Sequence, residues 1–193
     1  MEKPVIYVNR ITNLSDTRYC AGMGVDMLGF VVNPDHADYV SPSSYREMIG
    51  WISGPKRVAE ITSMENIKLE EVVSNYKPDL LHISSAFIGL HNFQKLSLIV
   101  EVAFENWPSF HAIPATAIDY LLITHLPAVA IQNINSQKGE GPVLLSLDKE
   151  AKAVIEILKR FGADGFALQG SRELVPGLKD YDHLSRILEE LEG

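Results

Sequence analysis

The sequence contains one cysteine, Cys20, in 193 residues. That excludes an internal disulfide and any metal site built on paired cysteines. Positive charge is also scarce: 17 Lys and Arg stand against 25 Asp and Glu, a net charge of −8. Phosphate recognition needs a basic face and anionic membranes attract basic segments, so neither a nucleic-acid nor a membrane partner is expected. Long apolar runs are missing. Glu101 interrupts "LSLIVEVAF", and His125 and Pro127 follow "YLLIT", well short of a membrane span. The start "MEKPVIYVNR" has no long apolar core of the secretory kind. The expectation is a cytoplasmic protein with one domain over residues 1–193, free of low-complexity tracts and linkers.

What is present is alternation. Short apolar runs, flanked by Gly, Pro, Asp or Ser, predict strands at Pro4 to Val8, Met27 to Val32, Arg57 to Ile61, Leu80 to Ser84, Leu98 to Phe104, Tyr120 to Thr124, Pro142 to Ser146 and Gly165 to Gln169. Between them, helical spacing joins Tyr45, Met48, Ile49 and Ile52 behind a Ser41-Pro42 start signal, and also Leu69, Val72, Val73 and Tyr76. It recurs in Ala151, Val154, Ile155 and Leu158, ending at Gly162, and in Leu184, Ile187, Leu188 and Leu191. Asn13, Ser15 and Asp16 offer caps for a helix after the first strand. The middle is thinner, since Pro108 and Pro114 break the segment after the fifth strand and His125 to Gly141 is irregular. Strand-helix alternation implies right-handed parallel crossovers. Eight units predict a compact (β/α)8 TIM barrel with short or irregular helices after strands 4 to 6. A doubly wound open sheet is the rival, but it normally carries a glycine-rich first turn, which "VNRITN" lacks.

Several stretches, in order, resemble one family. "ITNLSDTRYCAGMGVDMLGFVVNPDHADYVSP" is similar to the opening of phosphoribosylanthranilate isomerase, a barrel of tryptophan biosynthesis, whose pattern runs K-I-C-G-I-T, A-G-A-D-x-L-G-F-V-F and S-P-R-Y-V-S-P. Gly24, Asp26, Leu28, Gly29, Phe30, Val31, Pro34, Tyr39, Val40, Ser41 and Pro42 fall in register. "PDLLHIS", "YLLIT", "PVLLSLDKEAKAV" and "ALQGSRELVPGLKD" resemble later family motifs, so the likeness spans nearly the whole chain.

The resemblance implies an Amadori rearrangement, an aldose-ketose isomerisation needing a general base, a general acid, a cation for the anthranilate carboxylate and a phosphate cradle. No cofactor is implied. At those positions this chain departs from the pattern. The family's base, a cysteine, reads as Asn9, and the glycine after it as Arg10. Its acid, an aspartate, reads as Ile123, and its carboxylate-binding arginine as Asp38. The glycine pair after strand seven reads as Leu147-Asp148, and the serine-glycine segment after strand eight as Gln169-Gly170-Ser171. An amide is no base near neutrality and isoleucine has no proton to give. Loss of one placed acid or base removes roughly 10²–10⁴ in rate. The resemblance therefore predicts the scaffold without the isomerase activity: a pseudoenzyme or a repurposed binder of a small anionic or phosphorylated metabolite, as monomer or homodimer. The alternative is a functional isomerase with His82 or His125 as a substitute proton carrier.

The candidate ligand-binding residues are Asn9, Arg10, His82, His125, Gln169, Gly170 and Ser171. Each has a plainer reading. Asn9-Arg10 could cap a strand end, His82 could be a hydrogen-bonded core histidine, and Gly170-Ser171 could be a simple turn rather than an amide pair for an anion. His36, His111 and His125 could gather with His82 and Asp38 or Asp148 around a metal or a proton, but no H-x-H or H-x-x-x-H spacing supports a metal. Glu60 and Glu101 lie inside apolar strands and point either into the barrel, with Arg57 or Arg10 as partners, or outward. Cys20, Trp51 and Trp107 read as packing residues.

Overall fold

Each strand run pairs in parallel with the next, and the last returns to the first. The computed structural model describes residues 3–90, 92–93, 96–106, 118–126, 141–147, 156–158, 160, 162–170, 173–175, 178–179, 185–187 and 189. The strands are β1 (Val5–Asn9), β2 (Met27–Val31), β3 (Lys56–Ile61), β4 (Leu80–Ser84), β5 (Leu98–Ala103), β6 (Tyr120–Thr124), β7 (Val143–Ser146) and β8 (Gly165–Gln169), closed in that order into a barrel. The expected (β/α)8 architecture is the observed one. A small antiparallel pair follows, β9 (Glu173–Val175) with β10 (Leu178–Lys179), which periodicity did not reveal.

Three helices are described in full: α1 (Leu14–Gly22), α2 (Pro42–Ile49) and α3 (Leu69–Tyr76). Asn13 caps α1, its side-chain oxygen accepting the Asp16 N–H at 2.9 Å. Ser41 caps α2, accepting from the Ser44 N–H at 3.2 Å, with Pro42 in the first turn. Lys77 ends α3 in the left-handed conformation, φ 45°. The two later helical patterns are helical where described, at 156–158, 160, 185–187 and 189. After β4 and β5 only the short 3₁₀ turns Ser85–Phe87 and Phe104–Asn106 are described, which fits the thin middle. Pro108, Pro114, Trp107 and His111 lie outside the described residues. Cys20 is buried in the core as expected, but Trp51 is not a packing residue: it is 66% exposed just past α2, with the Arg18 guanidinium over its ring at 5.9 Å.

A repeated device closes the bottom of the barrel. Asp26, Asp79, Asp119 and Asp164 each stand just before an even-numbered strand, and each carboxylate accepts a backbone N–H at the start of the preceding odd strand, from Ile6, Arg57, Leu98 and Val143 at 2.7–2.8 Å. These bonds pin neighbouring strands in register where edge amides would otherwise lack partners. Asp79 also accepts from Arg57 Nε and Nη2, each at 2.9 Å, so Arg57 is no partner for the carboxylates of the barrel interior.

The core divides as strand pleating requires. One apolar layer lies outside the sheet under the helices, including Ile6, Val8, Leu28, Phe30, Ile83 and Ile123. The other lies inside and takes one residue from each strand: Tyr7, Met27, Val58, Leu80, Ile99, Leu122, Leu144 and Ala167. That inner layer is the floor on which the site stands.

Candidate functional site at the barrel mouth

Side chains on a strand return to the same face every second residue. Two positions beyond each floor residue, toward the C-terminal mouth, stand Asn9, Gly29, Glu60, His82, Glu101, Thr124, Ser146 and Gln169. Seven of these eight are polar, whereas the floor is apolar apart from the Tyr7 hydroxyl. The ring opens into a cavity of about 380 Å³ lined by Asn9, Arg10, Glu101, Leu122, Thr124, His125, Leu126, Ser146, Leu147, Ile157 and Gln169. A neighbouring recess of about 220 Å³ shares Asn9, Arg10 and Glu101 and adds Glu60, Thr62, His82 and Ser84. The mouth of a barrel of this kind is where catalytic and binding groups usually lie.

The one glycine in the ring has a steric reason. A Cβ on Gly29 would clash with the Glu60 Oε1 atom and the Tyr7 hydroxyl, so these two side chains occupy the space a side chain would fill. Around it runs a chain of titratable groups. The Tyr7 hydroxyl lies 3.1 Å from His82 Nδ1 and also hydrogen-bonds to Glu60. His82 Nε2 lies 3.1 Å from Glu101 Oε2, and Glu60 Oε1 accepts the Arg10 backbone N–H at 2.6 Å. Tyr7, Glu60 and His82 are buried, whereas the Glu101 side chain is 40% exposed to the cavity. Burial raises the Glu60 carboxyl above its ordinary value, outweighing the His82 and Arg10 contacts. The Glu101 carboxyl is held below its ordinary value, chiefly by the hydrogen bond from His82. The Tyr7 hydroxyl is pushed well above the usual phenol range, by burial first and the neighbouring carboxylates second.

Arg10 follows β1 with φ 54°, and His125 follows β6 with φ 55°, both in the left-handed region that suits glycine. The Arg10 side chain is 36% exposed, and its guanidinium approaches the Asp38 carboxylate to 3.9 Å. Asn9 Oδ1 is buried and has no hydrogen-bond partner among the described residues. Such an acceptor costs about 1–3 kcal/mol if left unmet and would take a ligand's donor.

Of the residues singled out from the sequence, Asn9, Arg10, His82, His125 and Gln169 all reach this mouth. Gly170 does not present a free amide: its N–H donates to the Asn9 carbonyl at 2.7 Å, and a Cβ there would lie 3.1 Å from the Asn9 and Arg10 carbonyl oxygens. Its role is the close approach of β8 to β1. The Leu147 N–H is likewise engaged, with the Ala167 carbonyl at 3.0 Å. Ser171 and Asp148 lie outside the described residues. Ile123 is placed differently from its expected role. It is buried in the outer layer, while Leu122 and Thr124 on either side face the cavity. A slip of one residue reverses a strand's faces, so the mouth position in "YLLIT" is Thr124. Sequence reading left Glu60 and Glu101 undecided and missed Tyr7, Thr124 and Ser146. The signal was the step of two from each apolar floor residue. Among the described residues no group of three or more His, Cys, Asp or Glu is placed to hold a metal, and no helix is long and apolar enough to cross a membrane.

No protein-family model matches the chain, and no curated protein sequence matches it. Solved structures do. A phosphoribosyl anthranilate isomerase in complex with reduced 1-(o-carboxyphenylamino)-1-deoxyribulose 5-phosphate superposes with a TM-score of 0.76 at 17% identity, covering 98% of this chain and 99% of that one. The isomerase from Thermotoga maritima gives 0.76 at 18% identity, covering 98% and 99%. TrpF from Jonesia denitrificans gives 0.77 at 16%, covering 98% and 97%. This chain thus shares the fold of the phosphoribosylanthranilate isomerase barrels along nearly its whole length.

Proposed function

We propose that this isomerase-like barrel, a single domain, binds a small polar molecule in its mouth and does not isomerise phosphoribosylanthranilate. The observation that carries the reading is the ring itself. Asn9 stands where the resemblance puts a base, and neither Ile123 nor its cavity-facing neighbour Thr124 is an acid. The described amides nearest the expected phosphate cradle, at Leu147 and Gly170, already serve backbone carbonyls. Electrostatics argue the same way. Two unit charges about 4 Å apart interact by roughly 4 kcal/mol at an effective dielectric of 20. Glu101 lines both cavities and would repel a phosphate, Asp38 stands 3.9 Å from Arg10, and among the described residues Arg10 is the one guanidinium lining the two cavities. A phosphorylated ligand is therefore disfavoured, and a ligand with one negative charge at Arg10 fits better than the dianion. The test is a steady-state assay with freshly made phosphoribosylanthranilate, together with rescue of a tryptophan auxotroph. Neither turnover nor rescue is expected, and robust turnover refutes the reading.

The polar ring also favours a second reading. His82 and Glu101, 3.1 Å apart at the cavity wall, are an acid–base pair that could substitute for the missing groups in a working isomerase. His82→Ala would then abolish turnover of phosphoribosylanthranilate. If His125 were the proton carrier instead, His125→Ala would do so.

A further inference from the structure

Resting on the reading of the mouth as a ligand site, we propose that Glu101 is its acid–base group, that Glu60, Tyr7 and His82 form a proton relay behind it, and that the ligand is a small hydroxy-carbonyl compound with at most one negative charge. The relay follows from counting donors. In one arrangement Glu60 is protonated and donates to the Tyr7 oxygen, the Tyr7 hydroxyl donates to His82 Nδ1, and His82 Nε2–H donates to the Glu101 carboxylate. Moving each proton one bond along gives a second arrangement. Glu101 then donates to Nε2, Nδ1–H donates to the Tyr7 oxygen, and the Tyr7 hydroxyl donates to an ionised Glu60. Both hold the same protons and the same single negative charge, and both use every hydrogen bond of the chain. Glu101 is a base in the first and an acid in the second. The directions of the Glu60 and Glu101 shifts favour the first at rest. Burial leaves the inner three groups little contact with water, and Gly29 leaves the room in which Glu60 and Tyr7 meet.

The ligand class follows from what faces Glu101. Asn9 Oδ1 lacks a donor, and Thr124, Ser146 and Gln169 offer hydroxyl and amide groups. These suit hydroxyls and a carbonyl. Arg10 supplies one cation for a carboxylate or for an oxygen that gains charge. In the step envisaged, Glu101 removes a proton from the carbon next to the carbonyl. The C–H bond breaks, an O–H bond forms on Glu101, and the electron pair passes to the carbonyl oxygen as an enolate. Return of a proton from Glu101 restores the C–H bond, and no oxidant or reductant takes part.

The experiment uses the full chain in D₂O with hydroxypyruvate as the probe, reading loss of its carbon-bound proton signal by NMR. Exchange above the buffer rate is expected. It should fall by about 10² or more in Glu101→Gln, the scale of one placed acid–base group, and by about tenfold or more in Tyr7→Phe. In ¹⁵N-labelled protein, Tyr7→Phe should shift the His82 Nδ1 resonance, which loses its partner, while Nε2 stays near its wild-type position. A packing role for Tyr7 would move neither nitrogen selectively. Should Tyr7→Phe not fold, Glu60→Gln tests the relay through the exchange rate, which should fall about tenfold or more, because glutamine keeps the acceptor for the Arg10 amide and passes no proton. Wild-type exchange no faster than buffer, or unaffected by Glu101→Gln, overturns the acid–base and ligand assignment. An Nδ1 resonance unmoved by Tyr7→Phe, or exchange unaffected by Glu60→Gln, overturns the relay. Turnover of phosphoribosylanthranilate would refute the proposed function instead, and leaves the Nδ1 test intact.

Discussion

Arg10 occupies a backbone conformation that an L-residue enters at a cost of about 1–2 kcal/mol and glycine enters freely. Its φ of 54° makes a sharp prediction when two truncations are compared. Arg10→Ala removes the guanidinium and keeps the Cβ, whereas Arg10→Gly removes both. Both variants lose the 3.9 Å approach to Asp38, worth a few tenths of a kcal/mol at about one-third exposure, so that term cancels in the comparison. Both keep the backbone N–H that donates to Glu60 at 2.6 Å. What remains is strain against chain entropy. In ordinary helix or strand interiors glycine is about 0.5–1 kcal/mol less stable than alanine. Here the order should reverse, with glycine more stable by about 1 kcal/mol, or about 2–4 °C in melting temperature for a chain of this size. Urea midpoints at equal m-values give the cleanest measure. Alanine equal to or more stable than glycine would refute the reasoning. A confirmed reversal would mean that arginine holds a place where a smaller residue is more stable. Strain of that kind collects at functional sites, and both variants should then lose ligand binding.

Four further outcomes follow from the same geometry. Ile123→Asp should destabilise the chain by several kcal/mol, because it places a carboxylate in the outer apolar layer, while Thr124→Asp at the cavity should cost under about 1 kcal/mol; equal losses in thermal melts would undo the placement of these faces. Gly29→Ala should cost about 1–3 kcal/mol through the close approach of Glu60 and Tyr7, and a neutral effect in denaturant titration would contradict the packing around it. Asp164→Ala should cost about 1–3 kcal/mol by stranding the Val143 amide, whereas an unchanged urea midpoint would show that this strand clamp contributes nothing. Burial raises the Glu60 carboxyl above its ordinary 4.5, so the stability from its bound proton is complete below 4.5 and is lost as pH rises through the raised value. Glu60→Gln, which does not ionise, should therefore gain on wild type as pH rises above 4.5 and through the raised value, and a gap that stays constant as pH rises would count against it.

The barrel was legible because strands buried on both faces read as short apolar runs bounded by turn residues, and all eight predicted starts fall within one residue of the starts of β1 to β8. The ends were less clear. The first strand runs on through Asn9, since pairing with Gln169 continues past the last apolar residue. The mouth was legible in its residues and not in its geometry. Motif likeness aligns letters, whereas the pleat decides which letters face the cavity, and Ile123 fell on the wrong side by one position. Counting by two from the floor would have chosen Thr124 and resolved Glu60 and Glu101 inward without any relative for comparison. The contact of His82 with Tyr7, Glu60 and Glu101 is harder to read, because it depends on how four strands are staggered around a closed barrel. No single strand carries that information. Tyr7 sits in a run that reads as core, and its hydroxyl gains chemical meaning only where β3 brings a carboxylate and β4 an imidazole beside it. A site assembled across strands is thus seen last from sequence, even when every group in it is present in plain view.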